Sequence, residues 1–348
     1  MFKKKKKLLG LDVGTFSVSA VEMAWTDGGP QVTQCAYAEI PDENARGDVL
    51  RNLVTENKLK GARTALAVSG RTVIVRYVPM PQMSLPELKK AIRFEAGKYI
   101  PFGLDEYTVD CEIVSPAGGG DNQMKVVLVA VKSSQITDRV ELVKSVGLIP
   151  AVVDVDGFAL CNVAADRLAA PLAEGQVIAV LDLGHTKTNV AILNGTTGFF
   201  TREFYVSGSE LSDQLGQALS VDPFELEKLK REPGQRLPEI RQATQTTIDD
   251  MVNEIKLSFD FFENEVDRSI DRVYLTGGTC RFEPLVQSLA ESLDAPIESW
   301  SPTEGLTIAT DGPGADMLHK RPELFSVALG FAGRAAPTDK GSTKAVSA

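Results

Sequence analysis

Apolar and polar residues alternate through "KLLGLDVGTFSVSAVEMAWTDGGPQVTQCAYAEI", and the alternation predicts strands with a hairpin turn at Asp27, Gly28, Gly29 and Pro30. A short helix around Val49 to Glu56 and a strand at Ala62 to Val68 follow, so the chain opens as β-β-β-α-β. The pattern changes at "RYVPMPQMSLPELKKAIRFEAGKYIPF". Pro79 and Pro81 end a strand, Ser84 and Glu87 have the spacing of a capping box, and Leu88, Ile92, Ala96 and Tyr99 carry an apolar helix face as far as Pro101. A strand near Tyr107 to Ser115, a glycine turn at Gly118, Gly119 and Gly120, and an apolar strand at Met124 to Val131 complete a small α/β unit. This unit is expected to span Pro79 to Pro150.

After a helix containing "GFALCNVAADRLAA" comes a second acid-bearing strand pair, "VIAVLDLGHTKTNVAIL", Val177 to Leu193. Its LDLG repeats the earlier LDVG. In both, an apolar run enters Asp-X-Gly, small hydroxyl residues follow (Thr15 and Ser17, then Thr186 and Thr188), and an apolar strand leaves, as in an internal duplication. Leu211 to Val266 reads as mainly helical, with a charged stretch at "ELEKLKREPGQRLPE". "SIDRVYLTGGTCRFEPLVQSLAESL" reads as a buried strand, a Gly277-Gly278 turn and a helix beginning near Phe282. "ELFSVALGFAGRA" is the last helix, and Pro337 to Ala348 reads as a disordered tail.

With 348 residues, 43% hydrophobic and 24% charged, the chain has room for two domains with sizeable cores. A net charge of -10 argues against a nucleic-acid partner, which would require a basic face. The exception is the basic run Lys3 to Lys7. It resembles the start of a signal peptide, but Asp12 follows before any apolar region develops, and no stretch approaches the ~20 apolar residues of a membrane span. The expectation is a cytoplasmic protein. Cys35, Cys111, Cys161 and Cys280 form no CxxC pair and read as small buried residues, indicating neither a zinc site nor a disulfide framework.

An acid in a half-buried strand is costly unless something compensates it. A hairpin whose glycine lets backbone N–H groups approach a ligand, followed by hydroxyls, suits phosphate oxygens. A carboxylate beside that phosphate makes sense when magnesium or its waters lie between them. Two such hairpins face to face would grip a nucleotide tail from both sides. Taken singly, each is also consistent with an ordinary glycine turn capped by an Asp. A helix starting at the Gly277-Gly278 turn would present N–H groups and a positive dipole end to the same ligand.

LDVGTFS (Leu11 to Ser17), LDLGHTKT (Leu181 to Thr188) and LTGGT (Leu275 to Thr279) resemble the phosphate-1, phosphate-2 and adenosine motifs of the actin-like ATPase superfamily, which includes actin, heat-shock chaperone ATPases, sugar kinases and bacterial FtsA. "PMPQMSLPELKKAIRFEAGKYIPF" with "VDVDGFALCN" is similar to the inserted helix and connecting segment of the PilM family of type IV pilus assembly proteins, which share the inserted subdomain of FtsA. The tail AAPTDKGSTKAVSA offers no FtsA-like amphipathic membrane helix, which favours PilM.

The resemblance implies an α/β fold of two RNase-H-like (actin-fold) domains around a nucleotide cleft, with an inserted small α/β subdomain as in FtsA. Domain I would take 1–78 and 151–176, the insertion 79–150, domain II 177–321, a C-terminal helix returning to domain I 322–336, and the tail 337–348. It also implies ATP and Mg2+. Gly14, Thr15, Phe16 and Ser17 would lie along the β and γ phosphates, with Asp12 acting through a metal-bound water. Asp182, Gly184, His185, Thr186 and Thr188 would form the opposing hairpin, Asp182 orienting metal and water. Gly277, Gly278 and Thr279 would border the adenosine, and Asn253 and Lys256 would touch adenine or ribose. Asp156 matches the position of the Gln or Glu that orients attacking water; its other reading is a helix N-cap. His185 has no Ser or Cys nucleophile beside it, so it reads as a loop residue rather than part of a triad.

The short Asp156, and His185 with Thr186 where active relatives carry glycine and small residues, imply at most slow hydrolysis. The function implied is an ATP-binding assembly module, peripheral to the inner membrane, that docks the cytoplasmic N-terminal peptide of a PilN-like membrane protein. Pilus ATPases would be further partners, and Lys3 to Lys7 would reach anionic lipid unless that run is simply a solvated tip. The alternatives are an FtsA-like cell-division filament and a small-molecule kinase of the same superfamily.

Overall fold

Near-continuous apolar strands, covered on both faces, build the first sheet: Leu8 to Leu11 and Val18 to Val21 are buried without a break. The computed structural model describes residues 7–100, 103–115, 123–195, 198–221, 226 and 229–334. Strands β1 (Lys7–Val13), β2 (Ser17–Thr26) and β3 (Gly29–Glu39) form an antiparallel meander. Helix α1 (Arg46–Glu56) leads to β4 (Arg63–Val68), which lies parallel to β1. The chain then leaves this sheet and re-enters it as β8 (Ile149–Val155), parallel to β4. With the short β14 (Thr307–Ile308) on the far edge, the strand order is β14-β3-β2-β1-β4-β8.

The second sheet repeats this plan. Strands β9 (Val177–Leu183), β10 (Thr188–Asn194) and β11 (Gly198–Phe204) form the meander, β12 (Arg272–Thr276) pairs parallel to β9, and β13 (Ile297–Glu298) pairs parallel to β12. The duplication legible as LDVG and LDLG is therefore a duplication of whole topology. Asp12 and Asp182 hold equivalent places in it, each next to the last residue of its strand, facing Ser19 and Asn189 across the hairpin.

Between β4 and β8 the chain makes a third sheet, ordered β5-β7-β6 from β5 (Val73–Pro81), β6 (Tyr107–Ser115) and β7 (Gln123–Lys132). Strand β5 ends at Pro81, as expected, and carries Pro79 within it, because it pairs only with β7 and an edge strand tolerates a missing N–H. Helix α2 (Leu85–Ala96) starts with the expected Ser84–Glu87 capping box and buries Leu88, Ile92 and Ala96 on this sheet. The other face packs Val127, Val129 and Val131 against Val155 and Phe158. The three-stranded unit begins and ends earlier than the expected Pro79 to Pro150, its strands running from Val73 to Lys132. Helix α3 (Ser133–Ser145) buries Val143 in the core of the first sheet, and β8 belongs to that sheet outright. The glycine turn at Gly118 to Gly120 lies outside the described residues, as do Pro101, Lys3 to Lys6 and the 337–348 tail.

Two helices join the halves. Helix α4 (Asp156–Arg167) carries Ala159, Leu160 and Ala164 into a core shared by Leu8 and Ala65 of the first sheet and Ile178, Val180 and Ala191 of the second. After α5 (Ala169–Ala173), the second sheet is covered by α6 (Gly208–Leu219), the long α7 (Leu237–Val266) and α8 (Glu283–Ser292). Helix α9 (Pro313–Lys320) and a 3-10 turn then lead to α10 (Ser326–Gly333), which returns to β1. The approach is so close that a Cβ on Gly10 would lie 1.9 Å from the Ala328 carbonyl, and one on Gly330 would lie 2.0 Å from that of Ala159. Arg334, just past α10, pairs with the buried Asp154 of β8 at 2.7 Å. All four cysteines are free; Cys35, Cys111 and Cys161 are buried and Cys280 partly so. Among the described residues, no helix is long and apolar enough to cross a membrane.

Candidate functional site

Each acid-bearing strand ends in a tight turn closed by glycine. The Gly14 N–H donates to the Ser17 carbonyl at 2.9 Å, and the Gly184 N–H to the Lys187 carbonyl at 3.1 Å. Glycine is required because the turn folds onto itself: a Cβ would lie 3.0 Å from Ser17 O at Gly14 and 2.7 Å from Lys187 O at Gly184. The two turns meet. Thr15 Oγ1 and Thr186 Oγ1 are 3.1 Å apart, and the rings of Phe16 and His185 have centroids 5.3 Å apart.

Behind the turns lies a cleft of about 540 Å³ between the halves. It is lined by Asp12, Gly14, Thr15, Phe16 and Ser17 from the first hairpin and by Asp182, Gly184, His185 and Thr186 from the second, with Asp156, Gly277, Gly278 and Thr279 completing the set. Gly277 has φ +87 and approaches so near that its Cβ would stand 2.5 Å from Asp182 Oδ1, so that turn is pressed onto the second hairpin. The Thr279 hydroxyl donates to the Gly184 carbonyl at 3.3 Å, pinning turn to hairpin. Helix α8 starts at Glu283, with Phe282 at its cap position, so its N-terminus follows the glycine turn at a distance of several residues.

Three expected residues stand elsewhere. Thr188 is fully buried in β10 and donates to the Val206 carbonyl at 2.9 Å. Asn253 and Lys256 are exposed on α7, whose buried face carries Val252 and Ile255 toward the second sheet, and neither lines the cleft. Helical periodicity turns those two residues outward. Asp156 is the first residue of α4 rather than its N-cap, which is Val155.

Sequence reasoning also passed over several groups. Lys187, inside the quoted LDLGHTKT, ion-pairs with Asp156 and reaches Glu203 at 2.9 Å. The available signal was a cation in the second turn where the first has Ser17. Lys230 and Arg231, from the charged stretch, also line the cleft; Lys230 donates to the Ser212 hydroxyl at 3.0 Å, and Arg231 reaches Glu39, the strand partner of Ser17, at 3.0 Å. Arg281 and Arg321, which line it too, both pair with Glu323.

The electrostatics at the turns favour a cation. Burial, then repulsion from Asp156 and Asp182, pushes the Asp12 carboxyl up to about 8. Burial pushes Asp182 up to about 6, although Asn189 donates to it at 3.0 Å. Burial works against the Lys187 ammonium, but Asp156 and Glu203 outweigh it and hold the amine protonated well above its ordinary range. Two cleft-lining acids whose charged forms are disfavoured by burial and by the neighbouring Asp156 are suited to a hydrated divalent ion. Among the described residues no group of three or more His, Cys, Asp or Glu could hold a metal by itself. A cation here would therefore keep most of its waters or draw oxygens from a ligand, as magnesium does.

A family model described as type IV pilus assembly protein PilM matches residues 10–336. The fold is similar to that of a solved PilM-PilN type IV pilus biogenesis complex, with TM-score 0.82 and 26% identity over 95% of this chain and 99% of that one. It is also similar to the ethanolamine utilization protein EutJ from Carboxydothermus hydrogenoformans, with TM-score 0.53 and 16% identity over 95% of this chain and 90% of that one. MreB5 of Spiroplasma citri, solved with AMPPNP bound, gives TM-score 0.51 and 11% identity over 94% of this chain and 95% of that one. The last two likenesses are of fold alone, the actin-like ATPase fold.

Proposed function

This chain belongs to the PilM family of type IV pilus assembly proteins, and from that premise we propose that it binds ATP with magnesium in the cleft and docks the cytoplasmic N-terminal peptide of a PilN-like inner-membrane protein. The observation that carries the nucleotide half is the convergence of both hairpin turns and the Gly277-Gly278 turn on one cleft of about 540 Å³. The triphosphate would run between Gly14 to Ser17 and Gly184 to Thr186, with Gly277, Gly278 and Thr279 beside the adenosine. Asp12 and Asp182 would hold the hydrated ion, whose chemistry is to neutralise phosphate charge. Nucleotide-bound MreB5 supports the reading at the level of fold.

Turnover is slow in this reading. Phosphoryl transfer depends on a positioned nucleophile, and the residue expected to orient water is the short Asp156, with His185 and Thr186 lining the cleft where active relatives carry glycine and small residues. Bound nucleotide then acts by its differential affinity for one arrangement of the halves. The partner half rests on the similarity to a PilM-PilN complex. An extended peptide would bind through main-chain pairing and a few side-chain pockets, bringing the protein to the cytoplasmic face of the inner membrane, where pilus ATPases are further partners. Lys7 pairs with Glu22 at 2.6 Å, so any lipid contact falls to Lys3 to Lys6.

Thermal unfolding with and without ATP and Mg2+ tests the nucleotide half. The parent should be stabilised, and Asp182→Ala should lose the magnesium dependence. Equal stabilisation of both proteins, with or without the metal, would falsify the assignment.

A further inference from the structure

Lys187 is a cation at the phosphate turns that the reading above leaves unused, and it lines the space beside Asp12, Gly14 and Thr15 together with Arg46 and Arg139. It occupies in the second turn the place of Ser17 in the first, each being the residue whose carbonyl accepts the turn glycine's N–H. Its side chain is 20% exposed and lines the cleft together with both turns. Its ammonium bridges Asp156, which the first half contributes at the start of α4, and Glu203 Oε2 of β11, 2.9 Å away. The other oxygen of Asp156, Oδ1, is buried without a hydrogen-bond partner.

Beyond Glu203 the polar contacts continue. Glu203 Oε1 accepts the Gly70 N–H at 3.0 Å and the Tyr205 hydroxyl at 2.5 Å, and the Arg71 guanidinium stands 4.9 Å over the Tyr205 ring. Gly70 and Arg71 form the link by which the chain leaves β4 for β5 and enters the three-stranded unit. Lys187 thus sits between the phosphate turns and the entry to that unit.

We propose that Lys187 is a phosphate-binding residue held in readiness by Asp156 and Glu203, and that a nucleoside triphosphate draws its ammonium off Asp156 and thereby alters the Gly70–Arg71 link. The inference rests on the nucleotide reading above. Exchanging a carboxylate for a phosphate oxygen replaces one charge-assisted hydrogen bond by another, and the lysine stem is flexible enough to make the exchange. A diphosphate, one group shorter, offers less to displace Asp156.

The test compares affinities for a non-hydrolysable ATP analogue and for ADP by calorimetry with Mg2+, together with hydrogen exchange at Gly70 and Arg71. In the parent, the triphosphate but not the diphosphate should change exchange at the link. Lys187→Met should lose at least about tenfold in triphosphate affinity and less than about threefold in diphosphate affinity, with the exchange response abolished, and Lys187→Arg should restore both. Because Lys187→Met leaves two carboxylates uncompensated, the double variant Asp156→Asn with Lys187→Met supplies the comparison if the single variant does not fold. Triphosphate affinity within about threefold of the parent overturns the inference and leaves the nucleotide reading standing. A parent that binds neither nucleotide overturns both.

Discussion

Thr15 Oγ1 lies 3.1 Å from Thr186 Oγ1, so the turns of two hairpins from opposite halves of the molecule touch. Both residues are exposed, and a hydrogen bond in water contributes about 1 kcal/mol or less to stability. We expect Thr15→Val with Thr186→Val to unfold within about 1 kcal/mol of the parent while binding an ATP analogue about tenfold more weakly. Calorimetry and denaturant titration on the same variant separate the two effects; unchanged binding removes these hydroxyls from the phosphate path.

Gly277 is a more demanding position than Gly14. It combines φ +87 with a Cβ position 2.5 Å from Asp182 Oδ1 and 2.7 Å from the Leu183 carbonyl. Gly277→Ala should cost at least about 1–3 kcal/mol in urea unfolding, since alanine is strained at that φ and the turn cannot move off the second hairpin. An unfolding midpoint equal to the parent's would mean the turn is not held as described.

Stability should also depend on pH. Asp12 and Asp182 are both pushed above the ordinary carboxyl value of 3.8, to about 8 and about 6, burial being the larger cause in each. A carboxyl with a raised folded value binds its proton more tightly when folded, so its contribution is complete below the unfolded value and is lost as pH rises through the folded one. Without metal, melting temperature should fall between about pH 4 and about 8, and Asp12→Asn should flatten the fall. A slope the same in parent and variant would count against it.

The return of α10 to β1 depends on backbone-to-backbone contact. A Cβ at Gly330 would meet the Ala159 carbonyl at 2.0 Å, and neither α4 nor α10 can give way inside the shared core. Gly330→Ala should therefore destabilise by about 1–3 kcal/mol or more, measurable as a lowered unfolding midpoint. Loss of less than about 0.5 kcal/mol would show a looser packing than the distances imply.

Partner docking and nucleotide binding should separate by mutation. Lys90 is exposed on α2, remote from the cleft residues in the fold. Lys90→Glu should weaken binding of a PilN-like peptide about tenfold with ATP affinity unaltered, whereas Asp156→Asn should keep peptide binding. Loss of peptide binding in Asp156→Asn alone, with ATP still bound, would point to hydrolysis as the functional event.

Local pattern by itself determined much of this protein. The apolar run "LLGLDVGTFSVSAVEM", broken at Asp12 and Gly14, dictated β1, its turn and β2. The repeated Asp-X-Gly marked the two halves. Ser84 with Glu87 announced α2, because a capping box is a contact within one turn of chain. What needed the tertiary structure were relations between segments far apart in sequence. Lys187 became a partner of Asp156 because α4 of the first half starts beside the second hairpin. Asn253 and Lys256 lost their assignment because the packing of α7, through Val252 and Ile255, turned them outward. The boundary of the inserted unit moved because β8 finds its hydrogen bonds on β4, and no pattern within β8 states which edge it will join. The acidity of Asp12 has the same origin: it is set by burial and by two carboxylates brought beside it from distant parts of the chain.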